Sequence, residues 1–137
     1  MTAKIRRVEC YDATVRDVPG EGYRVLSLLE SEGVNLLAFN AVPMGEDETR
    51  LTLFAEEADN LPHVAEQAGL DLGVPQHAFL VQGDDHLGAL AAIHKRVHDA
   101  EVNVFASWGV SDGAGHYGYV MWVRPERFEE AAAALGV

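Results

Sequence analysis

Asp17-Val18-Pro19-Gly20, then a helical pattern, then Gly33-Val34-Asn35-Leu36: this stretch decides the fold. An Asp ahead of a helix can hold exposed backbone N–H groups. A proline near the first turn presets φ, and a glycine admits another backbone or a ligand. Val25 and Leu29 fall on one helix face, Gly33 reads as the stop just past the helix, and a β-branched residue opens the next strand.

The same arrangement returns as Asp85-His86-Leu87-Gly88, Ile93, Val97 and Val102-Asn103-Val104. Gly88 stands 68 positions after Gly20, Asn103 68 after Asn35 and Trp122 68 after Phe54. Matching chemistry at one offset without a gap implies an internal duplication. Around the two copies, patterning predicts strands over 5–15, 34–42 and 50–55, helices over 20–32 and 61–69, and a linker before Pro75. It then predicts strands over 76–82, 102–110 and 118–123, with helices over 87–100 and 125–135. In the first helix Tyr23, Val25, Leu26, Leu28 and Leu29 form the expected apolar face.

Each repeat, 1–72 and 73–137, is thus β-α-β-β-α, one strand short of a ferredoxin-like unit. The chain stops straight after the last helix, so the expected solution is that the first strands of the two repeats lie side by side. The predicted fold is α+β: tandem βαββα repeats forming one six-stranded antiparallel sheet, with four helices on one face. Leu36-Leu37-Ala38-Phe39 and Tyr119-Val120-Met121-Trp122-Val123 are continuous apolar runs, which imply cover on both faces. A second copy of the chain is the expected cover, giving a homodimer.

At 137 residues, with 48% hydrophobic and 23% charged residues, the composition is that of a globular protein with a real core. Ten basic residues against 22 acidic ones give a net charge of −12, which disfavours nucleic acid and anionic membrane as partners. Cys10 is the one cysteine, so no intrachain disulfide can form, and it reads as a small core residue. The N-terminal stretch from Met1 to Arg7 has no apolar segment behind its positive charges, and no run is long enough to span a bilayer. A cytoplasmic, soluble protein is expected.

The ordered set Asp17, Pro19, Gly20, Val25, Leu29, Gly33, Val34, Asn35 and Leu36 resembles the first half of the ACT domain. The second set is Asp85, Gly88, Ile93, Val97, Val102, Asn103 and Val104. It departs from the pattern with Leu87 in place of proline and Glu101 in place of glycine. The resemblance, twice over, covers nearly the whole chain. It implies a ferredoxin-like regulatory module that binds a small ligand, usually an amino acid, near the loop after the first strand. Carried over residue by residue, Asp17, Pro19, Gly20 and Asn35 would line one site, and Asp85, Gly88 and Asn103 the related one. Backbone N–H groups at a helix start suit a carboxylate, and an Asp or Asn side chain suits an ammonium group. The competing reading is that Asp17 and Asp85 only cap helices, the glycines only permit packing, and Asn35 and Asn103 only satisfy backbone where a strand begins.

Other constellations are weaker. His94 and His98 stand at i, i+4, with Asp85 or His86 earlier, as a candidate metal pair. Lys95 follows where a His-Glu-x-x-His motif has glutamate, and no further ligands are evident, so both read as boundary histidines. Ser111, Asp112 and His116 supply the residue types of a hydrolytic triad, yet they crowd one loop with no nucleophile elbow. Gly113-Ala114-Gly115 is too short for a phosphate loop. Trp108, Tyr119 and Trp122 read as sheet packing, with Trp108 best placed to face a ligand or partner. The sequence therefore favours a non-enzymatic sensing module with no cofactor or metal. The alternatives are a small enzyme or metal-binding protein on the ferredoxin-like sheet, or a purely structural dimerisation module.

Overall fold

β-branched and aromatic residues at alternating positions carry the chain into strands, and residues in the left-handed region, mostly glycines, end its helices. The computed structural model describes residues 3–56 and 59–137, so the first two residues of the N-terminal stretch weighed above lie outside it. Along the chain come β1 (Lys4–Arg16), α1 (Glu21–Ser31), β2 (Leu36–Pro43), β3 (Glu48–Ala55) and α2 (Leu61–Ala68). There follow β4 (Gln76–Asp84), α3 (Ala89–Asp99), β5 (Val104–Ser111), β6 (His116–Val123), a 3-10 turn at Pro125–Arg127, and α4 (Phe128–Leu135). The strands hydrogen-bond in the order β2-β3-β1-β4-β6-β5, so β1 and β4 are neighbours as expected. The two hairpins share their register: Ala38 faces Phe54 and Asn40 faces Thr52, while Ala106 faces Trp122 and Trp108 faces Val120. Each carries a bulge at the same place, between Leu36 and Ala38 and between Val104 and Ala106.

The chain divides into two compact units, Glu9–Gln76 and Met1–Val8 with His77–Val137. This division departs from the sequence-based one because β1 contributes its first residues to the unit built from the second half of the chain. In the continuous unit, Val25 and Leu29 of α1 are buried against Ala13, Val15, Leu51 and Leu53, with Leu61 of α2 beside them. Tyr23 and Leu26 do not join them: Tyr23 is 78% exposed. Val25 and Leu29 stand one turn apart and meet the sheet, whereas Tyr23, two residues before Val25, projects from a different side of the helix.

In the discontinuous unit, Ile93 and Val97 of α3 pack with Phe79, Val81, Tyr119, Met121 and Val123, and with Phe128, Ala131 and Leu135 of α4. The Phe79 and Phe128 rings stack 4.5 Å apart and 3° from parallel. Ala3 and Ile5 from the start of the chain pack against this cluster. Arg7 closes the same unit, with a bidentate pair to Glu129 at 3.0 and 3.1 Å and a further bond to the Val137 carbonyl at 3.1 Å.

Tyr119, Val120, Met121, Trp122 and Val123 are all buried within a single chain. That run therefore calls for no second copy, and the argument drawn from it for a homodimer falls. Cys10 is a buried core thiol, as expected.

All four helices end alike. The amides of Val34, Leu70, Val102 and Val137 reach back five residues to the carbonyls of Leu29, Ala65, Val97 and Ala132 at 2.8–3.0 Å. The residue between is left-handed each time: Gly33, Gly69 and Gly136 in three helices, but Glu101 at φ 59° in α3. Among the described residues, no helix is long and apolar enough to cross a membrane.

Candidate functional site

β1 and β4 each run out into a short loop whose last residue is a glycine in the left-handed region, Gly20 at φ 93° and Gly88 at φ 83°. That conformation, and not a close neighbour, is what calls for glycine: a Cβ at either position would meet nothing within 4 Å. Neither helix has a side-chain cap. Asp17 uses its backbone N–H on the Asp47 carbonyl at 2.8 Å, and Asp85 uses its carboxylate on the Ser111 hydroxyl, which donates to it at 3.0 Å. The expected capping role is thus filled by neither aspartate.

At α3, Ala89 N–H donates to the His86 carbonyl and Ala92 N–H to the Gly88 carbonyl. The amides of Leu90 and Ala91, between these two, have no hydrogen-bond acceptor among the described residues. Leu90 and Ala91 line a cavity of about 580 Å³ together with Asp85, His86 and Gly88 and with Val110, Ser111 and Tyr117 of β5 and β6. Asp85 is its one acid, and neither Lys nor Arg lines it. Burial pushes the Tyr117 phenol above its ordinary pKa, and the charge of Asp85 adds to the effect. Leu87, Leu90 and Val110 line the same cavity and are solvent-exposed. A polar corner of one carboxylate and two free amides therefore adjoins an apolar wall.

The structure brings Asp85 and Gly88 together but sets Asn103 apart. Asn103 lies beyond the other end of α3, eleven residues long and so ~16 Å from end to end. It lines a different, open cavity of about 510 Å³ with His94 and His98. In the first half of the chain, Asp17, Pro19 and Gly20 precede α1, while Asn35 follows it and donates its backbone N–H to Asp59 at 3.3 Å. Ser111, Tyr117, Leu90 and Val110 were not anticipated as lining residues. Val110, Ser111 and Tyr117 reach the cavity through the pairing of β5 with β6, which local sequence does not display, whereas Leu90 stands on α3 itself.

The histidine pair separates. His94 Nε2 lies 2.5 Å from the Tyr119 hydroxyl, whereas His98 Nδ1 faces Asp99 at 3.3 Å. Among the described residues, no group of three or more His, Cys, Asp or Glu is placed to hold a metal ion. The loop triad does not assemble either, since Ser111 turns to Asp85 while His116 Nδ1 faces Asp112 at 3.3 Å. Asp112 instead organises its own loop, accepting the amides of Ala114 and His116 at 2.7 and 3.0 Å. Those two bonds, ahead of any other cause, hold its carboxyl below the ordinary carboxylate pKa.

Solved structures share this architecture. A protein of Bacteroides thetaiotaomicron matches over 98% of this chain and 88% of its own, with a TM-score of 0.77 at 13% identity. The regulatory subunit of aspartate kinase from Thermus thermophilus matches over 98% and 94%, with a TM-score of 0.66 at 13% identity. That from Thermus flavus covers the same shares, with a TM-score of 0.57 at 13% identity. The fold is ACT-like. No protein-family model and no curated protein matches the sequence. At such identities the likeness speaks for the fold of the ACT-like chain and leaves its ligand to the chemistry of the cavity.

Proposed function

We propose that this chain is a non-catalytic regulatory module, a tandem ACT-like protein that binds an amino acid at the head of α3. The observation that carries the reading is one cavity holding the Asp85 carboxylate beside the free amides of Leu90 and Ala91. An α-ammonium group would sit on Asp85 and an α-carboxylate on the amides, where the helix dipole adds to the attraction. With no Lys or Arg in the lining, a carboxylate would be held by the amides, with the His86 ring and the Tyr117 hydroxyl as the further donors of the cavity. Leu87, Leu90 and Val110 would take an apolar side chain. The loop of Asp17, Pro19 and Gly20 is the corresponding candidate in the other half. Asn35 and Asn103 would serve a ligand only from beyond the far helix ends. The shared register and bulge of the two hairpins support a duplicated origin. The reading includes a homodimer, which rests on the half-buried Leu36–Phe39 run and on the exposed Leu87, Phe105 and Val110, and not on the Tyr119–Val123 run.

A thermal-shift screen of the common amino acids tests this. A ligand at a hundredfold excess over its Kd adds about 2.7 kcal/mol to the folded state, an easily read rise in Tm. Asp85→Ala should abolish that rise while leaving the unliganded Tm nearly unchanged. If no amino acid raises Tm, the sensing role is refuted and a structural module is left; if Asp85→Ala binds as well as the parent, the site is misplaced.

A further inference from the structure

A second cavity in the same unit, of about 270 Å³, lies on the other flank of α3. Asp84 and Arg96 are its charged lining residues, His86 and Tyr117 its other polar ones, and Ala3, Ala89, Ala92 and Ile93 complete it. Ala89, Ala92 and Arg96 follow the i, i+3, i+7 stripe of the helix, so the floor is a shallow run of small side chains leading to a guanidinium. From Ala89 to Arg96 that run rises ~10 Å.

The charges at its rim do not neutralise one another. Some of the cations of this chain, Arg7, Arg24, Lys95 and Arg127, pair with carboxylates. Arg96 does not: its Nε donates to the Ala134 carbonyl at 3.2 Å, near the end of α4, and its terminal nitrogens have no hydrogen-bond acceptor among the described residues. Among the described residues the Asp84 carboxylate has only a long contact, 3.8 Å, to His116 Nε2. A lone anion entering this cavity meets Asp84 and a lone cation meets Arg96, so each is disfavoured at one end. A molecule bearing both charges, with methylenes between them to lie on Ala89, Ala92 and Ile93, satisfies both ends at once.

We infer that the Asp84–Arg96 cavity is a second binding site, for a short linear zwitterion whose ammonium and carboxylate are separated by several methylenes. This class differs from the α-amino acid assigned to the Asp85 cavity, and the inference does not depend on that assignment. The ammonium end belongs to Asp84, with Tyr117 beside it, and the carboxylate end to Arg96.

The test is a ¹⁵N–¹H NMR titration of the full chain with 4-aminobutyrate, using butyrate, butylamine and glycine as controls. 4-Aminobutyrate should move the amides of Asp84, Ala92, Ile93 and Arg96 saturably, and each control should bind about tenfold more weakly or worse. Arg96→Gln and Asp84→Asn should each weaken 4-aminobutyrate by about tenfold or more, and Arg96→Lys by much less. Asp85→Ala should leave it unchanged. Butyrate binding as well as 4-aminobutyrate would overturn the inference, as would the absence of saturable shifts. So would shifts confined to Leu87, Leu90 and Val110 that vanish in Asp85→Ala, which would place the ligand in the other cavity. Should Arg96→Gln fail to fold, Asp84→Asn and the butyrate comparison decide alone.

Discussion

Replacing Glu101 by glycine should stabilise the protein. Three of the four helices place glycine at the left-handed residue after the last turn, and α3 alone places a side chain there, at φ 59°. A Cβ in that region costs ~1–2 kcal/mol. Removing it gives back ~0.4–1 kcal/mol through the freer unfolded chain. The Glu101 carboxylate also sits at the negative end of the α3 dipole, an unfavourable placement worth ~0.3–1 kcal/mol. The balance for Glu101→Gly is a gain of about 1 kcal/mol, or a rise of about 3 °C in Tm for a chain of this length. Glu101→Ala separates the two causes, because it removes the charge and keeps the strain. It should capture only the electrostatic fraction. Urea denaturation of the parent and both variants supplies the measurement. The reasoning fails if Glu101→Gly is no more stable than the parent, or if Glu101→Ala gains as much, since the backbone would then contribute nothing.

Two further outcomes follow from the core and the loops. Phe79 is fully buried and stacked on Phe128, so Phe79→Ala should lower stability by about 3–5 kcal/mol, read from the urea midpoint; a loss below about 1 kcal/mol would mean the stack is not holding α4. Asp112 has a depressed carboxyl pKa in the folded state, so its contribution is complete above the ordinary carboxylate value and is lost as pH falls through the folded one. Stability should therefore fall less steeply between pH 5 and the acid limit in Asp112→Asn than in the parent; equal slopes would show that the loop amides do not hold this carboxylate.

Periodicity and punctuation made the elements legible. The pairs Val25 with Leu29 and Ile93 with Val97 stand at the spacing of one turn, and both are buried. The adjacency of β1 and β4 was legible because a β-α-β-β-α unit leaves one strand edge unsatisfied. Tyr23 misled because apolar content was counted without regard to its angle around the helix. Asp17 and Asp85 misled in another way, since aspartate before a helix usually caps it. Here the left-handed glycine takes that position, and the partner of Asp85 is Ser111, 26 residues on. The motif also lists asparagine close to glycine along the chain, although the helix between them sets the two at opposite ends. Contacts made across strands, such as Tyr117 and Val110 at the cavity, depend on register and leave no local trace.

The unit that carries both cavities is interrupted in sequence: residues 9–76 are threaded between its first segment and the rest. During synthesis the continuous unit emerges whole and can condense on local contacts while the ribosome is still at work. The interrupted one must wait for its far half and then close the ends of a long loop, with Arg7 meeting Glu129 across 122 residues. Until then the opening strand has no partner in β4, and its hydrogen-bonding edge stays open to any extended chain nearby. The smaller cavity, with Ala3 in its lining, is thus completed only when both segments of the unit have met. A fragment beginning at His77 would keep every residue that lines the larger cavity but would lack Ala3 of the smaller one, and with it the strand that carries Arg7 to Glu129.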